Sequence, residues 1–137
     1  MDKFDDMLAK WQPIALSLFR FVTGLLLFHY GTAKMLGFPV VPMFAKIPPL
    51  IQVAGTIELV LGALLMIGLF TRISAFILSG EMAAAYFMGH MFKDAAKPVF
   101  YPALNGGSAA ILFCFGCLYL ATSGGGPYSV DAMMRKK

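Results

Sequence analysis

The sequence contains few charged residues. Only 13% of its 137 residues are Asp, Glu, Lys or Arg, whereas 59% are hydrophobic. A soluble domain of this length carries roughly twice that charged fraction, so the composition excludes an ordinary water-soluble domain. The net charge is only +4, and the positive residues lie at the ends of apolar stretches. This distribution fits membrane flanks and argues against a nucleic-acid-binding surface.

Several motifs of enzymes and binding sites are also absent. The sequence has no phosphate-binding P-loop, no glycine-rich loop after a strand pattern and no hydrolase serine motif. No group of Asp, Glu and His has the spacing of metal ligands, so we expect no metal site. The N-terminus is acidic, and the apolar stretch behind it is too long for a secretory signal, so we expect no cleavage.

Long apolar stretches are what the sequence does contain. A helix of about twenty apolar residues crosses a bilayer, and four stretches have this length. They cover residues 13–36, 49–69, 71–91 and 105–122. The predicted fold is therefore all-α, a bundle of four transmembrane helices that forms one domain over residues 13–137.

The first twelve residues form a separate pattern. Phe4, Met7, Leu8 and Trp11 recur at helical spacing, with aspartates between them. This pattern predicts a short amphipathic helix over residues 1–12 that lies along the membrane interface, and the alternative is a frayed tail. Four spans put both termini on one side, which would hold six positive residues against four and is therefore expected to be cytoplasmic.

Two glutamates, Glu58 and Glu81, lie inside the second and third apolar stretches. An ionisable group in hydrocarbon costs several kcal/mol by most estimates, so each needs a partner or a purpose. The helical rise places both near mid-membrane on neighbouring antiparallel helices. We therefore take them as the candidate catalytic residues, with the alternative that they only fix how the helices pack.

Helical geometry also predicts which residues face the bundle interior. Glu58 shares a narrow face with two glycines, Gly55 and Gly62. A face in the first span contains Arg20, Gly24, Gly31 and Lys34. Arg20 either extends to the inner headgroups without a partner or pairs with one of the two glutamates.

Histidines and cysteines add weaker candidates. His29, Gln52 and His90 fall in a layer near the outer face, where histidines usually serve as hydrogen-bonded interface residues. Cys114 and Cys117 form a CxxC pair in the middle of a span, where apolar surroundings disfavour a reactive thiolate. They are candidate redox thiols, with packing as the alternative.

Several segments, in order along nearly the whole chain, resemble the DoxX-like family of small bacterial membrane proteins. The matching segments are Phe28–Phe38, Glu58, Gly68–Arg72, Gly80–Tyr86, Pro102–Gly107 and Gly126–Asp131. The resemblance implies a four-helix protein of the bacterial inner membrane, with relatives in thiosulfate:quinone oxidoreduction and oxidative-stress defence. Residues that match the family pattern, and that we expect in the polar bundle interior, are Arg20, Lys34, Glu58, Glu81, His90 and Asn105.

The sequence departs from the family pattern at two positions. The pattern has His directly before the glycine at position 31, where this chain has Tyr30 with His29 one residue earlier. It commonly has an acid after Asn-Gly-Gly, where this chain has Ser108. If those groups assist proton or quinone chemistry in relatives, part of that chemistry is missing here.

Three functions remain open. The first is a membrane subunit of a quinone-linked oxidoreductase, with quinone as its cofactor and a second subunit as its partner. The second is a non-catalytic scaffold or assembly partner, and the third is a small-solute transporter that acts as a homo-oligomer. All three place the protein in contact with the lipid bilayer.

Overall fold

The computed structural model describes residues 2–40, 48–94 and 96–135, and within these ranges every regular element is helical. The helices are α1 (Asp2–Met35), α2 (Pro49–Ile67), α3 (Thr71–Tyr86), α4 (Pro102–Asn105), α5 (Ser108–Ser123) and α6 (Val130–Arg135). A π-helical turn, Phe87–Met91, continues α3 without a break. Helices α2, α3 with its π-helical turn, and α5 thus occupy the regions in which the sequence predicts the second, third and fourth spans.

Helix α1 differs from its prediction. It runs for 34 residues with Pro13 in its interior, so residues 1–12 and the first span are not separated by a break in the helix. Proline removes one backbone donor and weakens a helix, but long apolar helices tolerate it where the flanking turns remain hydrogen-bonded. The expected interfacial helix is therefore an extension of α1, and every residue from Asp2 to Ala15 is exposed.

Among the described helices, α1 and α2 are long and apolar enough to cross a membrane. Helix α5 is apolar but has only 16 residues. The outward faces are also apolar, since Val53 on α2, Phe76 on α3 and Leu112 on α5 are each more than half exposed. Large apolar side chains facing outward on several helices are typical of a lipid-facing surface.

Glycines bring α1 and α2 into close antiparallel contact. A Cβ atom on Gly31 would lie 2.5 Å from the backbone nitrogen of Leu59, and one on Gly24 would lie 2.6 Å from that of Met66. From the other side, a Cβ on Gly62 would lie 2.8 Å from the nitrogen of Phe28. Small residues at such positions let membrane helices approach backbone to backbone. The face predicted for Gly55, Glu58 and Gly62 is confirmed, because all three are buried.

Helices α3 and α5 form the second antiparallel pair. The Ser79 hydroxyl donates to the carbonyl of Cys114 at 2.8 Å, and the Arg72 guanidinium donates to the carbonyl of Thr122 at 2.5 Å. The two helix pairs meet at a core of buried apolar side chains. This core consists of Leu27, Leu65, Ala75, Leu78, Met82, Cys117 and Leu120.

Candidate functional site

A buried ion pair joins the end of α1 to the middle of α2. The Lys34 ammonium contacts both carboxylate oxygens of Glu58, with Nζ–Oε1 and Nζ–Oε2 distances of 3.0 and 2.8 Å. The side chain of Glu58 is 1% exposed and that of Lys34 is 14% exposed. Gly55 makes room for this pair, because a Cβ there would lie 2.9 Å from the Cβ of Lys34.

Glu81 brings a second acid to this pair from α3. Its carboxyl group lies near enough to Glu58 and Lys34 to interact with both electrostatically. Both of its carboxyl oxygens are buried, and its carboxyl group lies close to that of Glu58. We refer to Lys34, Glu58 and Glu81 as the triad. Its two acids and one amine carry a net negative charge when all are ionised, and one bound proton makes them neutral.

Arg20 lies elsewhere, and both predictions for its side chain are wrong. It is 4% exposed, so it does not extend to the headgroups. It also pairs with neither glutamate but donates to backbone carbonyls, at 2.7 Å to Gly125, 3.2 Å to Tyr128 and 3.2 Å to Met66. Backbone carbonyls accept from the two terminal nitrogens of the guanidinium. The acid close enough to interact with Arg20 electrostatically is Asp131, and it lies in the C-terminal segment rather than in α2 or α3.

The segment held by Arg20, Gly124–Arg135, is named the C-terminal strap. Ser17 of α1 accepts a hydrogen bond from the backbone N–H of Tyr128 at 3.2 Å. Asp131 accepts bonds from the backbone N–H groups of Phe70 and Thr71, both at 2.9 Å, and so caps the first turn of α3. The strap therefore ties α1 to the turn between α2 and α3. Asp131 thereby connects Gly126–Asp131 to Gly68–Arg72, two of the segments in which the sequence resembles the DoxX-like family.

The turn held by the strap has unusual backbone angles. Gly68 has φ 76° and Phe70 has φ 51°, both in the left-handed region that favours glycine. Phe70 keeps this conformation while Asp131 binds its N–H and the N–H of the next residue. Asp131 is thus a structural residue whose role the sequence did not reveal, since its partners are about sixty positions away.

Asp131 also makes this end of the protein sensitive to acid. Partial burial disfavours the charged form, but hydrogen bonds from Thr71 and Phe70 and the nearby charge of Arg135 outweigh it and lower the pKa of the carboxyl group. A lowered pKa in the folded state stabilises the fold above the unfolded pKa of about 3.9, and this contribution is lost as the pH falls further.

We therefore expect Asp131→Ala to destabilise the protein at pH 7 by about 0.5–2 kcal/mol, as for loss of a helix cap. Asp6→Ala, at an exposed position of α1, is the matched control and should have little effect. Thermal unfolding in detergent from pH 7 to pH 3 would measure both. The difference between the native chain and Asp131→Ala should shrink below about pH 4, and a constant difference would contradict the proposed cap.

A third set of polar contacts, besides those of the triad and the strap, lies at the C-terminal end of α3. The Asn105 amide donates to the Tyr86 hydroxyl at 3.2 Å and to the carbonyl of Val99 at 2.9 Å. His90 stacks on Tyr86, and its Nδ1 lies 3.2 Å from the carbonyl oxygen of Asn105. Asn105 also accepts the N–H of Gly107 at 2.8 Å. These contacts fix the connection into α5 and are separate from the hydrogen bonds of the triad.

The two departures from the family pattern lie outside the triad's contacts. His29 bonds within its own helix, to the carbonyl of Leu26 at 2.7 Å, and Tyr30 packs edge-on against Phe113. Ser108 is exposed in the first turn of α5. None of the three has a hydrogen bond to Lys34, Glu58 or Glu81 among the contacts that the structure describes.

The CxxC cysteines are free thiols that pack between helices. Cys117 is fully buried in the core, and the Cys114 sulfur lies 3.6 Å from the Ser79 hydroxyl. Within residues 2–40, 48–94 and 96–135, no three His, Cys, Asp or Glu side chains come together as metal ligands.

Two open pockets lie on the surface of the described structure, and neither is lined by a triad residue. One, of about 450 Å³, lies beside the strap, where Arg72 and Arg135 line it together with Phe70 and Asp131. The other, of about 340 Å³, lies between α1 and Tyr119 of α5.

Comparison with known proteins now identifies the family. The DoxX family model matches residues 15–91, a range that includes Arg20 and all three triad residues. An uncharacterised protein of Haemophilus influenzae is 42% identical over 133 residues, which cover 95% of this chain and 98% of the relative. No solved structure matches the chain. By its sequence and by this relative, the chain belongs to the DoxX family.

Proposed function

We propose that this protein is a multi-pass inner-membrane subunit that serves quinone-linked redox metabolism or oxidative-stress defence. In this proposal α1, α2, α3 and α5 each cross the bilayer, and both termini are cytoplasmic. The observation that carries the proposal is the triad, which places two carboxyl groups and one amine at the junction of three helices. Reduction of a lipid-soluble quinone requires a proton donor, and the triad can hold a proton in apolar surroundings.

The role of the triad follows from its charges. Lys34 neutralises Glu58 through two contacts, so the second acid, Glu81, is the group that remains to bind a proton. Like charges placed together in a site of low polarity do not both remain ionised. When protonated, the buried carboxyl group of Glu81 would donate a hydrogen bond to a quinone oxygen. Glu81 would thus hold one proton where such a ring can approach.

The proposal accounts for the protons that quinone reduction consumes. Reduction of a quinone to a quinol consumes two electrons and two protons. A partner oxidoreductase would supply the two electrons. The triad would deliver its one proton, rebind a second proton from water, and deliver that one as well. Lys34 orients Glu58 and limits how much negative charge develops when Glu81 loses its proton.

Extraction with native lipids tests this proposal. The protein should co-purify with quinone in polymer-bounded lipid discs, at close to one quinone per chain. We expect Glu81→Leu to reduce the bound quinone about tenfold, because leucine cannot donate a hydrogen bond to the ring and a loss of about 1.4 kcal/mol is a tenfold change in affinity. Asp6→Asn, on the exposed end of α1, is the matched control and should retain the quinone. Equal quinone content in both variants, or none in the native protein, would refute the proposal.

The second candidate is a non-catalytic scaffold. The presence of Ser108 in place of the common acid favours it. On this alternative the ion pair only fixes how α1 and α2 pack. Affinity purification would then recover a stable membrane partner, and Glu58→Gln would leave that partner bound. A transporter is the weakest candidate, and solute flux in proteoliposomes would test it.

A further inference from the structure

The N-terminal half of α1 extends well beyond the other long helices. The 34 residues of α1 span about 51 Å, compared with roughly 30 Å for the hydrocarbon core of a bilayer. Ser17 and Arg20 contact the strap and the carbonyl of Met66, so they lie level with the end of α2. The exposed residues from Asp2 to Ala15 therefore project about 20 Å past that end.

This extension carries an apolar stripe with coiled-coil spacing. Along α1, large apolar residues recur at alternating steps of three and four positions. They are Phe4, Met7, Trp11, Ile14, Leu18, Phe21 and Leu25, and together we name them the α1 seam. Each is between 40% and 61% exposed. An alternation of three and four positions keeps the stripe facing one partner helix over several turns when the two helices wind gently around each other.

Both the regular spacing of the seam and the position of the charged residues around it favour a helix as the partner. The pattern passes through Pro13 without a change of phase, so one partner helix could cover the stripe inside and outside the membrane. The charged residues of the extension all lie off the seam. They are Asp2, Lys3, Asp5, Asp6 and Lys10. Packing along the seam would therefore bury no charge.

We propose that the seam pairs with the same seam of a second copy of this chain, in a parallel dimer. A membrane sets both copies in the same orientation, so equivalent positions of two α1 helices lie at the same height. The seven side chains are each 40–61% exposed. Each copy therefore offers several hundred Å² of apolar surface, on the order of the ~800 Å² per partner of a stable interface. Flat binding to the membrane would instead require α1 to turn sharply, whereas the helix is unbroken at Pro13.

Cysteine cross-linking in lipid discs tests the dimer. Met7→Cys and Ile14→Cys place thiols on the seam, and Ala9→Cys places one on the opposite face as the matched control. All three positions are exposed, so the fold should tolerate each change. The native chain is the control for any cross-linking through Cys114 and Cys117. We expect mild oxidation to give at least fivefold more covalent dimer from the two seam variants than from Ala9→Cys.

Trp11 supplies an independent measurement, because it is the single tryptophan of the chain and lies on the seam. In the dimer its fluorescence should resist quenching by both brominated lipids and aqueous acrylamide. Quenching by brominated lipids would show that the extension lies on the bilayer, and quenching by acrylamide would show an uncovered helix. Either result, or equal cross-linking at positions 7, 9 and 14, would overturn the proposal.

Discussion

Lys34→Met is expected to destabilise the protein by about 3–5 kcal/mol, the typical effect of removing one partner from a buried ion pair. The reason is that Glu58 is 1% exposed and both of its oxygens contact the Lys34 ammonium. Without that amine, two carboxyl groups would share an apolar site with no positive charge described beside them. Unfolding in mixed detergent micelles, followed by circular dichroism, would measure the loss.

The double variant Lys34→Met/Glu58→Met is the control for this prediction. Replacing a buried ion pair by apolar side chains of similar volume is often neutral or stabilising, so stability should return to nearly that of the native chain. If the double variant is as unstable as the single one, the ion pair is not the cause. The double variant also tests the scaffold candidate, because a scaffold would still bind its partner.

Gly31→Ala should have the next largest effect, a loss of about 1–3 kcal/mol from overpacking. The new methyl group would lie 2.5 Å from the nitrogen and 2.7 Å from the Cα of Leu59, and backbone atoms cannot move aside as a side chain end can. The two helices would have to separate within one turn of Lys34. We therefore expect this variant to weaken the ion pair as well as the packing.

Gly80→Ala is the matched control, because it changes the same residue type in the interior of α3, where a Cβ would meet nothing within 4 Å. Here the higher helix propensity of alanine should dominate and leave stability unchanged or raised by up to about 1 kcal/mol. Unfolding of both variants under identical detergent conditions gives the comparison. Equal stability of the two variants would show that the close contact of α1 and α2 does not depend on having a glycine at position 31.

Periodicity and composition were sufficient for the helices and for their buried faces. The glycines of α1 and α2 fall on the faces that the sequence predicted, because a helix has a fixed angle per residue. Helix α1 passing through Pro13 was not predictable, since a proline marks either the start of a helix or a tolerated interior position.

The partners of the charged residues were harder to predict. The sequence placed Lys34 on one helical face with Gly31 and in the polar interior, but it did not identify Glu58 as its partner. Its long side chain and the close approach at Gly55 bring it to Glu58. For Arg20 the sequence analysis considered glutamates as partners and not backbone carbonyls. The carbonyls of Gly125 and Tyr128 reach Arg20 only because the C-terminal strap folds back onto α1, and the sequence does not show this.

The strap has a consequence for biosynthesis. Residues Gly124–Arg135 leave the ribosome after the four long helices, yet they supply two of the three carbonyl contacts of Arg20 and the cap of α3. The first helix must therefore enter the bilayer with a guanidinium that has not yet met most of its acceptors. Translation that stops before Gly125 would leave this cation without the two carbonyl acceptors that the strap supplies.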